Sequence, residues 1–94
     1  MPEAKFRGEC TINTARGSHT CTLTEESIVI GNHGDIALRI PLWEISKARS
    51  RRSGGLTGHK NPGIHLEYAH GVVGIYFDSD AERNKLLSLI NMSM

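Results

Sequence analysis

The sequence lacks an excess of charge of either sign: it holds 11 Lys and Arg residues against 10 Asp and Glu residues, a formal net charge of +1. Proteins that bind nucleic acid through their overall electrostatic field carry a large positive excess, so nucleic acid is not an expected partner. Cysteine is also scarce, since 2 residues are too few for a disulfide scaffold. No apolar run approaches the roughly 20 residues of a membrane-spanning helix, and no secretory signal opens the sequence. We therefore expect one folded domain over residues 1–94, in the cytoplasm.

Short stretches in which apolar and polar residues alternate make up most of the chain up to residue 77. A period of two is typical of strands that bury one face. Turn residues separate these stretches at Asn13–Ser18 and Asn32–Asp35, and a longer loop covers residues 50–63. We predict seven strands within residues 4–77, centred on 6–12, 19–24, 27–30, 36–40, 42–49, 64–68 and 73–77.

The last segment changes to a helical period. Ser79 and Glu82 have the spacing of a capping box, and Leu86 and Ile90 share one helical face. We predict a helix over residues 79–91. Consecutive short strands followed by one helix indicate a mainly β protein, a seven-stranded antiparallel barrel or roll capped by a C-terminal α-helix.

This pattern resembles the pleckstrin-homology-like (PH-like) superfold, and within it the GRAM and small bacterial PH-like variants. The most suggestive stretch is Ile40–Ile45, which reads Ile-Pro-Leu-Trp-Glu-Ile. The other similar stretches are 23–30, 64–68, 71–77 and the helix. The resemblance implies a non-catalytic adaptor that binds proteins or membranes.

Two features of PH domains are missing from the sequence. Members that bind inositol phosphates carry a basic motif in the first hairpin, where this chain has only Lys5, Arg7 and Arg16 in a different spacing. The tryptophan usual in their helix is also missing, because the single tryptophan is Trp43. The usual headgroup site is therefore not expected here.

The strongest local feature is the basic segment, residues 47–60. Its basic residues are Lys47, Arg49, Arg51, Arg52 and Lys60. No acidic residue lies among them, so the segment carries a charge of +5 whereas the rest of the chain carries −4. Arginine side chains and glycine N–H groups bind carboxylate or phosphate oxygens, so these five residues are the predicted site for an anionic partner. A solvated loop without a partner is the alternative.

We expect a protein partner, because the inositol-phosphate motif is absent; peripheral binding to an anionic phospholipid membrane is the first alternative. The second alternative is self-assembly into a homo-oligomer through an unpaired edge strand such as Ile64–Tyr68. Trp43 is a candidate anchor for a partner, with burial in the core as the other interpretation. No aromatic residue interrupts the basic segment, so stacking on single-stranded nucleic acid is not supported.

Cys10 and Cys21 are the remaining residues with distinctive chemistry. A four-residue turn over 14–17 would place them opposite each other on one face of the first hairpin. Two buried small side chains are the favoured interpretation, and a disulfide, or a nucleophile or metal site that includes His19, are the alternatives. Because a fourth metal ligand and a Cys-x-x-Cys pair are missing, we expect no metal, no cofactor and no catalytic residue.

Overall fold

The computed structural model describes residues 4–32, 34–51 and 61–93. Within them seven strands precede one helix, as the sequence predicts. The elements are β1 (Phe6–Ile12), β2 (Ala15–Leu23), β3 (Ser27–Asn32), β4 (Asp35–Pro41), β5 (Ile45–Arg51), β6 (Gly63–Tyr68), β7 (Gly71–Tyr76) and α1 (Asp80–Ser93). A short 3₁₀ turn, Leu42–Glu44, joins β4 to β5.

The described strands form one antiparallel sheet in the order β4-β3-β2-β1-β7-β6-β5. Strands that are consecutive in the chain pair as hairpins except β4 and β5, and β1 joins β7 through residues 11–12 and 75–76. The helix packs against β5 and β6 and buries Leu86 and Ile90. The mainly β architecture with one C-terminal helix is thus confirmed. The predicted edge Ile64–Tyr68 is wrong, because these residues lie in β6, which pairs with both β5 and β7.

The inward face of the sheet carries the core, as the alternation of residues predicts. The rings of Phe6 and Phe77 meet edge to face with their centroids 5.9 Å apart. Apolar burial of this kind is the main source of folding free energy. Every described strand and the helix contribute buried side chains, among them Phe6, Cys10, Ile12, Cys21, Leu23, Ile28, Ile30, Ile40, Ile45, Ile64, Leu66, Val73, Ile75, Phe77, Leu86 and Ile90.

The first hairpin has a different register from the predicted one. Its turn consists of Asn13 and Thr14, because Ile12 pairs with Ala15. The side chain of Asn13 accepts a hydrogen bond of 3.0 Å from the backbone N–H of Gly74, and the Asn13 N–H donates to the Gly74 carbonyl at 3.2 Å. These bonds hold the turn against β7. Residues 15–17, which were also expected in the turn, instead lie in an irregular part of β2, where Gly17 has φ +87°.

An irregularity in β4 turns Ile36 away from the core. Ile30 pairs with Leu38 and Gly31 with Ile36, so Ala37 is an extra residue in β4. One extra residue shifts the following side chains to the opposite face of a strand. The alternation predicts Ile36 on the same face as Leu38 and Ile40, but the side chain of Ile36 is 65% exposed.

The segment after Pro41 is a 3₁₀ turn, where the alternation predicts strand from residue 42. Pro41 has no N–H with which to continue the ladder. The N–H of Leu42 donates to the Glu26 carbonyl at 2.9 Å, and the N–H of Ile45 closes the turn by donating to Leu42. The chain therefore changes direction before β5 begins.

Two of the predicted local signals are confirmed. Ser79 Oγ accepts a hydrogen bond of 3.3 Å from the Glu82 N–H, as a capping residue does, and the helix extends to Ser93. Asn32 pairs with Asp35 across the predicted hairpin turn, in which Gly34 has φ +87°. Such a positive φ is readily adopted by glycine and favours the tight turn.

Candidate binding surfaces

The first candidate is the β5 face, which we define as the exposed positions Lys47 and Arg49 on β5 together with the backbone position of Arg51. In the ladder Lys47 pairs with Glu67, Arg49 with His65 and Arg51 with Gly63. Between these positions Ala48 is partly buried against the core. The basic residues therefore alternate along the outer side of an edge strand, and both Lys47 and Arg49 are exposed.

A bulge at the start of β5 decides which way these side chains point. Ile45 pairs with Tyr68 and Lys47 with Glu67, so Ser46 is an extra residue. The Ser46 hydroxyl donates to the Glu67 carbonyl at 3.1 Å, which secures the bulge. Without the bulge, Ile45 and Lys47 would lie on the same face, since they are two residues apart. With it, Ile45 enters the core while Lys47 and Arg49 face outward.

Glu67 partly offsets the positive charge of the β5 face. Its Oε2 lies 3.9 Å from Arg49 Nη2, and the two side chains are 61% (Arg49) and 44% (Glu67) exposed. An exposed pair at this distance contributes little to stability, so Arg49 remains available to another carboxylate. A cavity of about 170 Å³ lies here, lined by Arg49, His65, Glu67 and Val72. This volume is below the roughly 300 Å³ of ordinary ligand pockets.

Two of the five predicted site residues, Arg52 and Lys60, lie outside the described residues. The structure therefore brings together Lys47, Arg49 and the backbone position of Arg51, which are three alternate residues of one strand. That Lys47 and Arg49 share one face follows from the strand period, and the bulge at Ser46 decides which face it is.

The second candidate is centred on Trp43, whose side chain is 78% exposed. The core interpretation of this residue is therefore wrong. Leu42, its neighbour in the 3₁₀ turn, is buried and accounts for the attachment of the turn to the core. Because the Leu42 N–H also bonds to Glu26, the indole is presented on a backbone that is fixed on both sides.

A cavity of about 540 Å³ lies beside the indole, and we call it the Trp43 pocket. Glu25, Leu42, Trp43, Ile45 and Ser93 line it. They come from the β2–β3 turn, the 3₁₀ turn, the start of β5 and the end of α1. Sequence reasoning identified Trp43 alone, because no local pattern links the other four residues, which are brought together by the fold.

Both cysteines lie in the core. Cys10 pairs with His19 and Cys21 with Gly8, so the two thiols are diagonal neighbours, and the predicted direct pairing is wrong. Both are free and buried, which confirms the favoured interpretation. A hydrogen bond with Cys10, burial, and the charge interaction with Cys10 raise the pKa of the Cys21 thiol well above its usual value of 9.0. A thiol held in its neutral form is a poor nucleophile and metal ligand.

The environment of His19 agrees with a structural role. Its Nδ1 lies 3.0 Å from the Gly17 carbonyl, which can only accept, so Nδ1 carries the proton. Within the described residues no group of three or more His, Cys, Asp or Glu side chains is placed to hold a metal ion. Across the same ranges, no helix has the length and apolar character needed to span a membrane.

Comparison with known proteins adds evidence at the level of the fold. No protein-family model and no curated protein matches the sequence. Among solved structures, Vav1 inhibited by an allosteric inhibitor matches 98% of this chain at 18% identity, with a TM-score of 0.72. A structure concerned with the PH and C1 domains of the Vav1 exchange factor matches 97% at 16% identity, with a TM-score of 0.68. Autoinhibited Vav1 matches 98% at 19% identity, with a TM-score of 0.70.

These identities are too low to carry residue roles, and the likeness concerns the fold. This chain covers 26%, 25% and 18% of the three Vav1 chains, so it corresponds to a part of them. Their similarity to nearly the whole chain, together with the strand order and the C-terminal helix, shows that the chain has the PH-like fold.

Proposed function

We propose that this chain is a non-catalytic adaptor module that binds an acidic segment of a protein partner through the β5 face. The observation that carries the proposal is the placement of Lys47 and Arg49 at exposed alternate positions of an edge strand, with Arg51 at the next alternate backbone position. Guanidinium groups bind carboxylates through two parallel hydrogen bonds, which gives geometry as well as charge to the contact. The PH-like fold in general serves as a scaffold for binding proteins or lipids, which agrees with this proposal.

A protein is favoured over a phospholipid surface for two reasons. The first hairpin has no basic motif for inositol phosphates. In addition, Glu67 projects among the cations of the β5 face, where its carboxylate would repel lipid phosphates but can pair with a basic residue of a protein. Peripheral membrane binding and self-assembly remain the alternatives that the experiment below separates.

We also propose a cytoplasmic location for the module. Free, buried cysteines are compatible with a cytoplasmic location, where thiols stay reduced. The kinship with GRAM and small bacterial PH-like domains stays a prediction from the Ile40–Ile45 stretch.

The test uses charge reversal on the intact chain. The variant carries Lys47→Glu and Arg49→Glu, and the control carries Lys5→Glu and Lys85→Glu, which are exposed positions elsewhere with the same change in net charge. The probe is a fluorescently labelled peptide of alternating Glu and aliphatic residues, titrated by anisotropy. We expect binding that weakens with salt and that is at least about tenfold weaker in the variant but not in the control.

Other outcomes contradict the proposal. Equal loss in the variant and the control would show that net charge alone attracts the peptide. Binding to phosphatidylserine vesicles, with no binding to the peptide, would move the function to the membrane. A molecular mass in light scattering that doubles in the wild type, but not in the variant, would assign the β5 face to self-assembly.

A further inference from the structure

Trp43 is a large apolar side chain on a rigid support with no covering partner among the described residues. Its side chain is 78% exposed, whereas Leu42 before it and Ile45 after it are buried. The exposure is imposed by the fold, since Leu42 holds the turn by its side chain and by its bond to Glu26. A preordered indole loses little entropy on binding, which is why tryptophan is frequent among residues that dominate binding energy.

The surroundings of the indole are negatively charged. The β2–β3 turn contributes Glu25 and Glu26, and the 3₁₀ turn contributes Glu44. Glu25 lines the pocket, Glu44 is adjacent to Trp43 in the chain, and the bond from Leu42 to Glu26 holds the two turns together. None of the described residues that line the pocket is basic. Carboxylates beside an indole favour a cation, which is attracted by both the charges and the ring face.

The end of the helix adds negative potential at the same place. Ser93, the last residue of α1, lines the pocket, and the last turn of α1 contains no basic residue. The C-terminal end of a helix carries partial negative charge on its unpaired carbonyls. The Ser93 hydroxyl satisfies one of them by donating to the Leu89 carbonyl at 2.9 Å. The helix end, the carboxylates and the indole therefore favour the same kind of ligand.

The remaining walls of the pocket are apolar. Leu42 and Ile45 line it beneath the indole, within a volume of about 540 Å³ that is large enough for a pair of side chains. A bare cation would leave these walls in contact with water. A ligand that fits has an aliphatic side chain for Leu42 and Ile45 and, next to it, a cation for the indole and Glu25.

We propose that the Trp43 pocket is a second docking site, which binds a protein segment that carries Lys or Arg beside an aliphatic residue. The ligand is opposite in charge to the acidic segment assigned to the β5 face. The module thus contacts an acidic segment on one surface and a basic-aliphatic segment on another. An anionic membrane is disfavoured as the occupant, since Glu25 lines the pocket and Glu44 is next to Trp43 in the chain.

The chain carries its own probe, since Trp43 is the single tryptophan and its fluorescence reports directly on the pocket. The ligand is a capped peptide of alternating Arg and Leu, and the comparison peptide has Glu in place of Arg. We expect the Arg-Leu peptide to change the intensity and wavelength of Trp43 emission saturably, with an affinity that falls as salt is added. The Glu-Leu peptide should leave the emission unchanged.

Variants separate charge from simple apolar contact. The double variant Glu25→Gln with Glu44→Gln keeps the indole, and we expect it to bind the Arg-Leu peptide at least about fivefold more weakly. The matched control Glu9→Gln with Asp78→Asn removes two exposed carboxylates elsewhere and should bind as the wild type does. With a labelled peptide, Trp43→Ala should weaken binding at least about tenfold.

Several results would overturn the second site. Equal responses to the two peptides would reduce it to unspecific apolar contact. An emission change with phosphatidylserine vesicles and none with the Arg-Leu peptide would assign the indole to a membrane. A concentration-dependent emission change without peptide, together with a doubled mass, would make the occupant a second copy. The Lys47→Glu, Arg49→Glu variant should still bind the Arg-Leu peptide, so failure of either proposal leaves the other testable.

Discussion

The β5 face and the Trp43 pocket adjoin in the chain but are built in different ways. Only Glu44, Ile45 and Ser46 separate Trp43 from Lys47. The β5 face consists of alternate residues of one strand and is basic. The Trp43 pocket collects side chains from four parts of the chain and is acidic and apolar. Alternation along one strand is thus enough to produce a charged stripe, whereas a concave site with mixed chemistry forms only where distant segments of the chain meet.

The largest expected effect contrasts two neighbours in the 3₁₀ turn. Leu42→Ala removes a buried side chain, and we expect it to lower the free energy of unfolding by about 2–5 kcal/mol. Trp43→Ala removes an exposed one and should change that free energy by less than about 0.5 kcal/mol. Urea denaturation followed by circular dichroism measures both. A large loss in Trp43→Ala would show that the indole stabilises the fold and would remove the ground for treating it as a binding residue.

A second test disturbs β6, the strand that pairs with β5. A Cβ built on Gly63, which pairs with Arg51, would lie 2.5 Å from Tyr76 Cδ1 and 2.9 Å from the Ile75 carbonyl oxygen. We expect Gly63→Ala to destabilise the fold by about 1–3 kcal/mol, because ring and backbone must both shift. The control Ser50→Ala, at an exposed position of β5, should change little. If Gly63→Ala loses binding of the Arg-Leu peptide but keeps binding of the acidic peptide, the two surfaces are not independent.

A third test concerns pH and the core residue Cys21. Since the pKa of Cys21 is raised in the folded state, the unfolded chain loses that proton first as pH rises above 9.0. The contribution of the neutral Cys21 thiol to the free energy of unfolding is thus complete below pH 9.0, and it is lost as pH rises towards the pKa of the folded state. We expect a fall of up to about 1.4 kcal/mol per pH unit, seen in urea denaturation between pH 8 and about 10.5. The slope should shrink in Cys21→Ala and persist in Glu25→Gln, and an unchanged slope in Cys21→Ala would refute the assignment.

The smallest effect concerns the ion pair on the β5 face. Arg49 and Glu67 are both well exposed, so Glu67→Gln should change the free energy of unfolding by less than about 1 kcal/mol. The same change frees Arg49, and we expect the acidic peptide to bind about twofold to threefold more tightly. Binding to the Trp43 pocket should stay constant. Weaker binding of the acidic peptide would mean that Glu67 positions Arg49 for its partner.

The inward residues of most strands could be predicted because alternation follows directly from strand geometry. Ile12, Leu23, Ile64 and Ile75 all lie inward as predicted. The exceptions occur where an extra residue enters a strand. Ile36 faces outward because of such a residue in β4, since a bulge is determined by the pairing of two strands and leaves no period in the sequence.

The two candidate surfaces also differ in how far the sequence predicts them. Lys47 and Arg49 could be predicted as exposed cations because a segment with several basic residues and no acidic partner is not readily buried. The exposure of Trp43 could not, because Pro41 interrupts the strand pattern and leaves the direction of the next residues open. Glu25 and Ser93 stand 18 and 50 residues from Trp43 in the chain, and no sequence signal joins them.

Sequence patterns were enough to predict the order of seven strands and one helix, the helix cap at Ser79, the inward face of most strands and the basic character of residues 47–60. These features depend on periodicity, turn chemistry and charge, which act over a few residues. Three features appear only in the tertiary structure: the bulges at Ala37 and Ser46, the position of β6 in the interior of the sheet, and the Trp43 pocket. These depend on which backbone groups pair across the sheet and on where the helix ends, and such contacts exist only when distant segments are packed together.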